Sequence, residues 1–561
     1  MKDTVTFIGF NSPEYHFGLH GTWLAGGITA GIYTTNKEDS CKYVLSHSET
    51  VICVCQSGKQ LSKILAIRDQ LPKLKIIVSY WQDELLPIFH DGFALCYSWE
   101  DFLKLGMDVP SKIIEDRINC VVPGSCATII YTSGTTGDPK GVMCSHDNCT
   151  YNALAVKDVF GLCGVERMVG FLPLNHVAAQ YVDCLVFLYN PMTIFMAEPD
   201  ALSGSLINTL KKVQPTIFVS VPRVYEKMME RVKIKLAEKE GLALKFVNWA
   251  RRVGTAATLS TQYKHKPKHP FGYWLANEFF FKRIREELGL SAVHIAVASA
   301  ANLTEDTLHF FASLNIPIMD LLGQSEGTAP VTTCTNVNQL WKMGTVGLPF
   351  PGVDVTINSD SEIMYRGRNV MMGYLKQPEE TFKAIDNDGF LHTGDMGSMD
   401  KDGFLTITGR LKEQIVNTRG ERISPVGIEN RIMELSPIIS SCIVVGDKRD
   451  YLAILICLRC DLDEEGESTH RLTKETVAFL EELGTDVKTV EQAIHDSTVK
   501  KYINGVLGKY NKGVRTQSQV IRNWCILLNE FTVGNGELTA TMKLRRPVIQ
   551  QHYAKEIDSL Y

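Results

Sequence analysis

Tyr131-Thr-Ser-Gly-Thr-Thr-Gly-Asp-Pro-Lys-Gly141 is the stretch from which the rest of the chain is read. A short apolar run rich in β-formers, Ala127-Thr-Ile-Ile-Tyr131, leads into it and reads as a strand. Gly134 and Gly137 free the backbone to fold tightly and bring N–H groups near an anion. Thr132, Ser133, Thr135 and Thr136 add hydroxyl donors, and Lys140 adds a positive charge. Many donors beside one cation make a cradle for polyphosphate. The loop is not of the Walker A type, in which Gly and four further residues precede Gly-Lys-Ser/Thr. The fifth residue after Gly134 is Pro139 and the fifth after Gly137 is Val142, so kinase-type and GTPase-type readings lose their main support. The bland alternative is a plain surface turn, but this order of hydroxyls, glycines, proline and lysine is hard to obtain by chance.

Outward from the loop, strand-like runs alternate with helix-like runs. Residues 216–221 and 294–297 read as strands, and residues 225–240 as a helix rich in Lys, Glu, Met and Leu. Residues 275–288 place apolar side chains on one helical face and charged ones on the other, with Gly289 as the C-terminal cap. Alternation of this kind predicts α/β layering with mostly parallel sheets. The character changes near Arg410. Residues 441–445 and 452–458 read as two strands of a hairpin split by Gly446-Asp-Lys-Arg-Asp450, and residues 474–483 as a helix. The expected organisation is a large domain of layered sheets and helices over 1–408, a boundary at 409–413, and a small α+β domain over 414–561.

A chain of 561 residues exceeds one ordinary core, which agrees with more than one domain. Hydrophobic content of 45% and charged content of 22% are those of a globular protein. A net charge of −5 gives no support to nucleic-acid binding. The 15 cysteines are scattered; Cys457 and Cys460 form one CxxC without a second, so reduced thiols in a cytoplasmic protein are expected rather than a metal site. The opening MKDTVTFIGF lacks a signal-peptide pattern. Residues 18–33, with His20 and five glycines, fall short of the roughly 20 apolar residues a membrane span needs. They read as a buried, Gly-rich helix packed on a sheet, and residues 184–197 are read the same way. No transmembrane span is expected. The basic loop Lys264-His-Lys-Pro-Lys-His269 reads first as a solvated surface loop; contact with anionic lipid headgroups is the sharper alternative, which leaves peripheral membrane association open.

The glycine- and hydroxyl-rich loop resembles the signature loop of the adenylate-forming superfamily, and further segments follow in that family's order. Leu172-Pro-Leu-Asn-His176 resembles the acyl-pocket motif, and Gly323-Gln-Ser-Glu-Gly327 the adenine and magnesium motif. Leu391-His-Thr-Gly-Asp395 resembles the ribose motif, Gly409-Arg-Leu-Lys-Glu413 the interdomain hinge, and Gly536-Glu-Leu-Thr-Ala-Thr-Met-Lys543 the catalytic-lysine loop. Within the superfamily, Gly9-Phe-Asn-Ser-Pro-Glu14, Gly31-Ile-Tyr-Thr-Thr-Asn36, Pro173-Leu-Asn-His-Val-Ala-Ala-Gln180 and Gly367-Arg-Asn-Val-Met-Met-Gly-Tyr374 resemble the bubblegum type of long-chain acyl-CoA synthetase.

The resemblance implies an adenylate-forming fold that joins a long-chain fatty acid to coenzyme A with ATP and Mg²⁺. In the implied roles, Thr132, Ser133, Gly134, Thr135, Thr136, Gly137 and Lys140 hold the β- and γ-phosphates. Gln324 and Ser325 touch the nucleotide, Ser325 at the α-phosphate, and Glu326 binds Mg²⁺. Asp395 takes the ribose hydroxyls, Arg410 contacts ribose or phosphate, and Lys543 bridges the carboxylate and the α-phosphate. His176 stands at the acyl-carboxylate end, and Lys412 is the hinge of a rotating C-terminal domain. Singly, each has a plainer reading: a surface carboxylate, a turn residue, a core histidine, a solvated lysine. The chain also departs from the family pattern. Leu322 stands where an aromatic commonly stacks on adenine, Ala298-Ser-Ala-Ala-Asn-Leu303 replaces a more proline-containing segment, Asn417-Thr-Arg-Gly-Glu-Arg422 a more Gly-rich run, and Ala540 a common proline. Met1 falls late in the family's order, as in a short isoform or a divergent member. A degenerate member that binds nucleotide or acyl chains with little turnover is the alternative.

Overall fold

The computed structural model describes residues 3–81, 95–132, 138–201, 204–299, 303–419, 421–462, 468–514, 516–532, 534–538 and 544–561. Thr4–Ile8, Ile28–Ile32, Thr50–Gln56, Ile76–Tyr80 and Leu95–Ser98 are joined in parallel, and Cys126–Thr132 adds to the Ile28–Ile32 edge in the same direction. Lys140–Ser145 and then Gly373–Tyr374 complete this eight-stranded sheet in antiparallel sense. A second sheet runs parallel through Ile217–Ser220, Ile295–Ala298 and Ile318–Gln324, then antiparallel through Ala329–Thr333 and Leu348–Pro349. A third, wholly antiparallel, contains Val353–Ile357, Glu362–Gly367, Leu391–Met399 and Leu405–Arg410. The predicted predominance of parallel pairing therefore holds for the first sheet and fails for the third. There, turns such as 358–361 are too short for the crossover that parallel strands require.

The helix predicted over 225–240 is found as Pro222–Ala237, started by a proline whose fixed φ suits the first helical position. The helix predicted over 275–288 is broken into Tyr273–Ala276, a π turn Asn277–Phe281 and Lys282–Leu288, closed by Gly289 at φ 72°. The π turn brings Phe280 and Phe281 inward together and leaves Trp274, Leu275 and Phe279 outside, so the expected charged outer face is apolar in its first half. Residues 18–33 are not one helix. The helix Pro13–Leu24 ends, Gly26 turns the chain at φ 75°, and Ile28–Ile32 becomes a buried strand, as β-branched residues favour. Residues 184–197 likewise divide into a helix end, a single turn Val186–Leu188 and the strand Met192–Met196.

After Arg410 the strands pair only among themselves. Ile439–Val445 and Leu452–Leu458 form the predicted hairpin, and Ile521–Ile526 joins Leu452–Leu458 in parallel. Leu452–Leu458 is buried on both faces. Leu452, Ile454, Ile456 and Leu458 pack with the helices Pro425–Glu434 and Ser497–Gly513, whereas Ala453, Leu455 and Cys457 face Ile549 and Leu560. The Cys457 thiol donates to the Asn529 carbonyl and that of Cys460 to the Leu458 carbonyl. The molecule thus has a large α/β N-terminal domain and a small C-terminal one. No described helix is long and apolar enough to cross a membrane.

Candidate active site

Tyr131 lies opposite Gly141 and Thr132 opposite Lys140, so the strands that flank the phosphate-type segment pair in antiparallel sense. Ser133, Gly134, Thr135, Thr136 and Gly137 lie outside the described residues. At the start of the second of these strands the Lys140 ammonium sits 2.5 Å from Glu380 Oε2 and 4.7 Å from the centre of the Tyr374 ring. Lys140, with Lys383, holds the Glu380 carboxyl down at about 2. Tyr374 belongs to the edge strand that pairs with Lys140–Ser145.

The strand Ile318–Gln324 runs into a single 3₁₀ turn, Ser325–Gly327, and the chain then reverses through Thr328 and Ala329, both at positive φ (50° and 83°). Two consecutive non-glycine residues in that region need outside support. Asn152 Nδ2 supplies it by donating to the carbonyls of Gly327 (3.2 Å) and Thr328 (2.6 Å). Gly327 itself admits no side chain, since a Cβ would lie 2.5 Å from the Tyr365 hydroxyl. The turn presents Glu326, whose Oε1 accepts from the Tyr374 hydroxyl at 2.9 Å and whose carbonyl accepts from Met371 N–H at 2.8 Å. Burial and the neighbouring Glu326 carboxylate push the Tyr374 phenol well up.

Asp395 and Arg410 are opposite each other on adjacent strands, with Arg410 Nε 3.0 Å from Asp395 Oδ1. Gln324 Nε2 donates to Asp395 Oδ2 at 3.1 Å and to the Thr393 carbonyl at 3.2 Å. A connected line therefore runs from Arg410 through Asp395, Gln324, Ser325 and Glu326 to Tyr374 and Lys140. It crosses the eight-, five- and four-stranded sheets of the large domain. Asp395 is buried while Arg410 stays accessible, so the line has an open end fit to meet a polar ligand.

The other expected residues are placed differently. His176 caps the helix Val177–Cys184, its Nδ1 accepting from Ala178 N–H at 3.2 Å, and that helix packs on the strand Ala329–Thr333 that leaves the Glu326 turn. A small apolar cavity beside it is lined by Phe171, Leu172, Ala178, Val182 and Asp183. Asp183 is buried, and burial drives its carboxyl well up. Leu322 is buried among Val346, Ile363 and Leu405 and serves a core. Lys412 is exposed in the 3₁₀ turn Leu411–Glu413. Lys543 lies outside the described residues, but its loop is pinned at both ends, by Leu538 bridging Leu544 and by Arg545 N–H donating to the Glu537 carbonyl at 2.8 Å. Arg546, three residues on, is buried, pairs with Glu429 (Nη1 to Oε1 2.7 Å) and reaches Glu413 of the turn Leu411–Glu413 at 3.3 Å.

Sequence reasoning missed Tyr374, Glu380 and Arg546. Tyr374 ends the segment Gly367-Arg-Asn-Val-Met-Met-Gly-Tyr374 and was within reach; nothing local marks Glu380 or Arg546.

The AMP-binding enzyme family model matches residues 1–375, and that of the AMP-binding enzyme C-terminal domain residues 412–501. The chain is 40% identical over 570 residues to the long-chain-fatty-acid–CoA ligase ACSBG2 of Xenopus laevis, with 99% of this chain and 76% of that one covered. It is 38% identical over 565 residues to ACSBG2 of Homo sapiens, at 99% and 84% coverage. Among solved structures, the adenylation domain of the carboxylate reductase from Mycobacterium chelonae superposes with a TM-score of 0.72 at 20% identity, covering 100% of this chain and 80% of that one. The anthranilate CoA ligase AuaEII in complex with anthranoyl-AMP gives 0.66 at 16%, covering 98% and 87%.

Proposed function

The chain belongs to the AMP-binding enzyme family, and from that premise we propose that it is an AMP-forming long-chain fatty acid:CoA ligase. The observation that carries the reading is the bonded line from Arg410 through Asp395, Gln324 and Glu326 to Tyr374 and Lys140, which aligns a ribose-type carboxylate, a metal-type carboxylate and a phosphate-type lysine on one wall. A fatty acid carboxylate oxygen attacks the α-phosphorus of ATP, the bond to the β-phosphate oxygen breaks, and pyrophosphate leaves. Both reactants are anionic, so the residues' task is to neutralise charge and align groups. Lys140 and the loop 132–137 hold the β- and γ-phosphates, Ser325 the α-phosphate, and Asp395 with Arg410 the ribose. Lys543 bridges the attacking carboxylate and the α-phosphate, and His176 borders the acyl-carboxylate end.

Glu326 fits a magnesium ion. One carboxylate oxygen is fixed by Tyr374, no contact of the other is described, and Mg²⁺ is commonly held by one or two carboxylates plus substrate phosphates. Bound there, the ion would offset phosphate charge. In the second half-reaction the CoA sulfur attacks the acyl carbon, AMP leaves, and the thiol proton is lost. The division into 1–408, a hinge at 409–413 and 414–561, with rotation at Lys412 between half-reactions, belongs to this proposal. No disulfide forms among the described cysteines, which supports a reducing, cytoplasmic setting.

The test is AMP release by purified protein with ATP, Mg²⁺ and CoA, with and without oleate, beside Lys543→Ala. Oleate-dependent release that falls at least about 100-fold in the variant is expected. No release from folded protein that still binds ATP would replace this reading with that of a nucleotide binder of little turnover.

A further inference from the structure

The π turn at Asn277–Phe281 has a consequence on the outside of the molecule. Phe271 is 99% exposed, Trp274 72%, and Leu275 and Phe279 51% each. These four side chains follow one another along a single outer edge, while their neighbours Tyr273, Ala276, Phe280 and Phe281 fill the core. Together they expose roughly 500 Å² of apolar surface, in the range of patches that mark interaction sites. Backing from inside makes the edge rigid: a side chain at Gly272 would run into the Trp249 ring, and Gly254 packs directly on Phe281.

The basic loop 264–269 borders this edge without a break. The His269 ring lies 4.1 Å from that of Tyr273 and 5.6 Å from that of Trp274. Lys264 is committed to Asp402, but no ion pair of Lys266 or Lys268 occurs among the described residues, and both are exposed. On the other side Arg283 reaches over the Phe279 ring at 6.0 Å, and Glu278, the edge's own acid, is neutralised by Lys282. Exposed Trp and Phe flanked by unpaired cations match the interface of an anionic bilayer, where amphipathic rings sit at headgroup depth and lysines meet lipid phosphates and carboxylates. A protein partner of the same area would be expected to bring acids to the rim and a shaped apolar pocket to the centre; exposed rings with lysines beside them and no acid left unpaired on the edge fit an anionic fluid surface better.

We propose that the edge formed by Phe271, Trp274, Leu275 and Phe279, with Lys266 and Lys268 beside it, docks this protein onto membranes rich in anionic lipid. The inference stands apart from the ligase reading, and loss of ligase activity would not touch it. The experiment is co-sedimentation of the full chain with vesicles of phosphatidylcholine alone and of phosphatidylcholine with phosphatidylserine. Binding to the anionic vesicles is expected, falling about tenfold or more in Phe271→Ser/Trp274→Ser and likewise in Lys266→Ala/Lys268→Ala, with binding to neutral vesicles weak throughout. Circular dichroism checks that the exposed substitutions leave the fold intact. Absence of binding by the parent protein, or equal binding by the aromatic double variant, overturns the proposal. So does a parent that sediments as a dimer and becomes monomeric in Phe271→Ser/Trp274→Ser, which would assign the edge to a second copy of the chain.

Discussion

Lys140 is held by Glu380 and Tyr374, and this decides what a substitution at Glu380 should do. For Lys140 to meet a polyphosphate, its ammonium must leave a carboxylate that it and Lys383 keep ionised down to about pH 2. Both partners are partly open to solvent, so the pair is weak and screened. Glu380→Gln should therefore lower the KM for ATP by about threefold with kcat little changed. Steady-state kinetics at fixed oleate and CoA measures it; a raised KM would show instead that Glu380 positions the lysine. Lys140 could be named as a candidate from the sequence because the residues that mark it lie in the same segment. Glu380, 240 positions away, could not, because only the docking of the short helix Pro378–Ala384 beside the strand Lys140–Ser145 brings it there.

The strand Ile318–Gln324 carries Gln324 into the site, and it also carries a liability. Asp320 is buried on it, and burial pushes its carboxyl up to about 7 against the N–H bonds from Leu321 and Leu303 that favour the ionised form. Its unfolded value is about 3.9. Between these values the folded chain keeps a proton that the unfolded chain has lost, so stability falls as pH rises from about 4 to about 7, by on the order of 4 kcal/mol. Asp320→Asn should remove that slope, matching the parent near pH 4 and exceeding it at pH 8. Urea midpoints of the large domain's transition across that range would reveal it, and an unchanged slope in the variant would sink the assignment. A neighbouring element shows where periodicity stops being informative. Residues 275–288 read as one amphipathic helix, but the inserted π turn shifts the inward face by one residue, which no 3.6-residue count foresees.

At the scale of the whole molecule, the charged contacts between the two domains among the described residues include Arg459 with Glu230 at 3.3 Å and Arg422 with Asp360 at 3.9 Å. The turn Leu411–Glu413, the proposed hinge, is more firmly tied, since Glu413 reaches the buried Arg546, which also pairs with Glu429. A rotation at Lys412 would have to carry or break that link. Proline at 412 fixes φ and disfavours the helical state of Leu411, so it restricts the turn itself while sparing the large domain. Lys412→Pro should slow thioester formation by about tenfold or more and leave adenylation within about threefold. Rapid-quench measurement of the two half-reactions decides this; equal loss in both would refute the hinge role.

By itself the sequence determined the α/β layering, the hairpin at 441–458 and the order of the motifs, and it named the candidate residues that the structure brings onto one wall. These are local facts: glycines, hydroxyls, β-branched runs and caps act on the few residues beside them. Only the tertiary structure decided that Leu322 faces a core, that Tyr374 rather than solvent meets Glu326, that Arg546 spans to the hinge, and that Phe271, Trp274, Leu275 and Phe279 are left uncovered. Each depends on which surfaces the sheets and the two domains place against one another. A pattern of apolar residues states that a face must be buried or bound; it does not state by what.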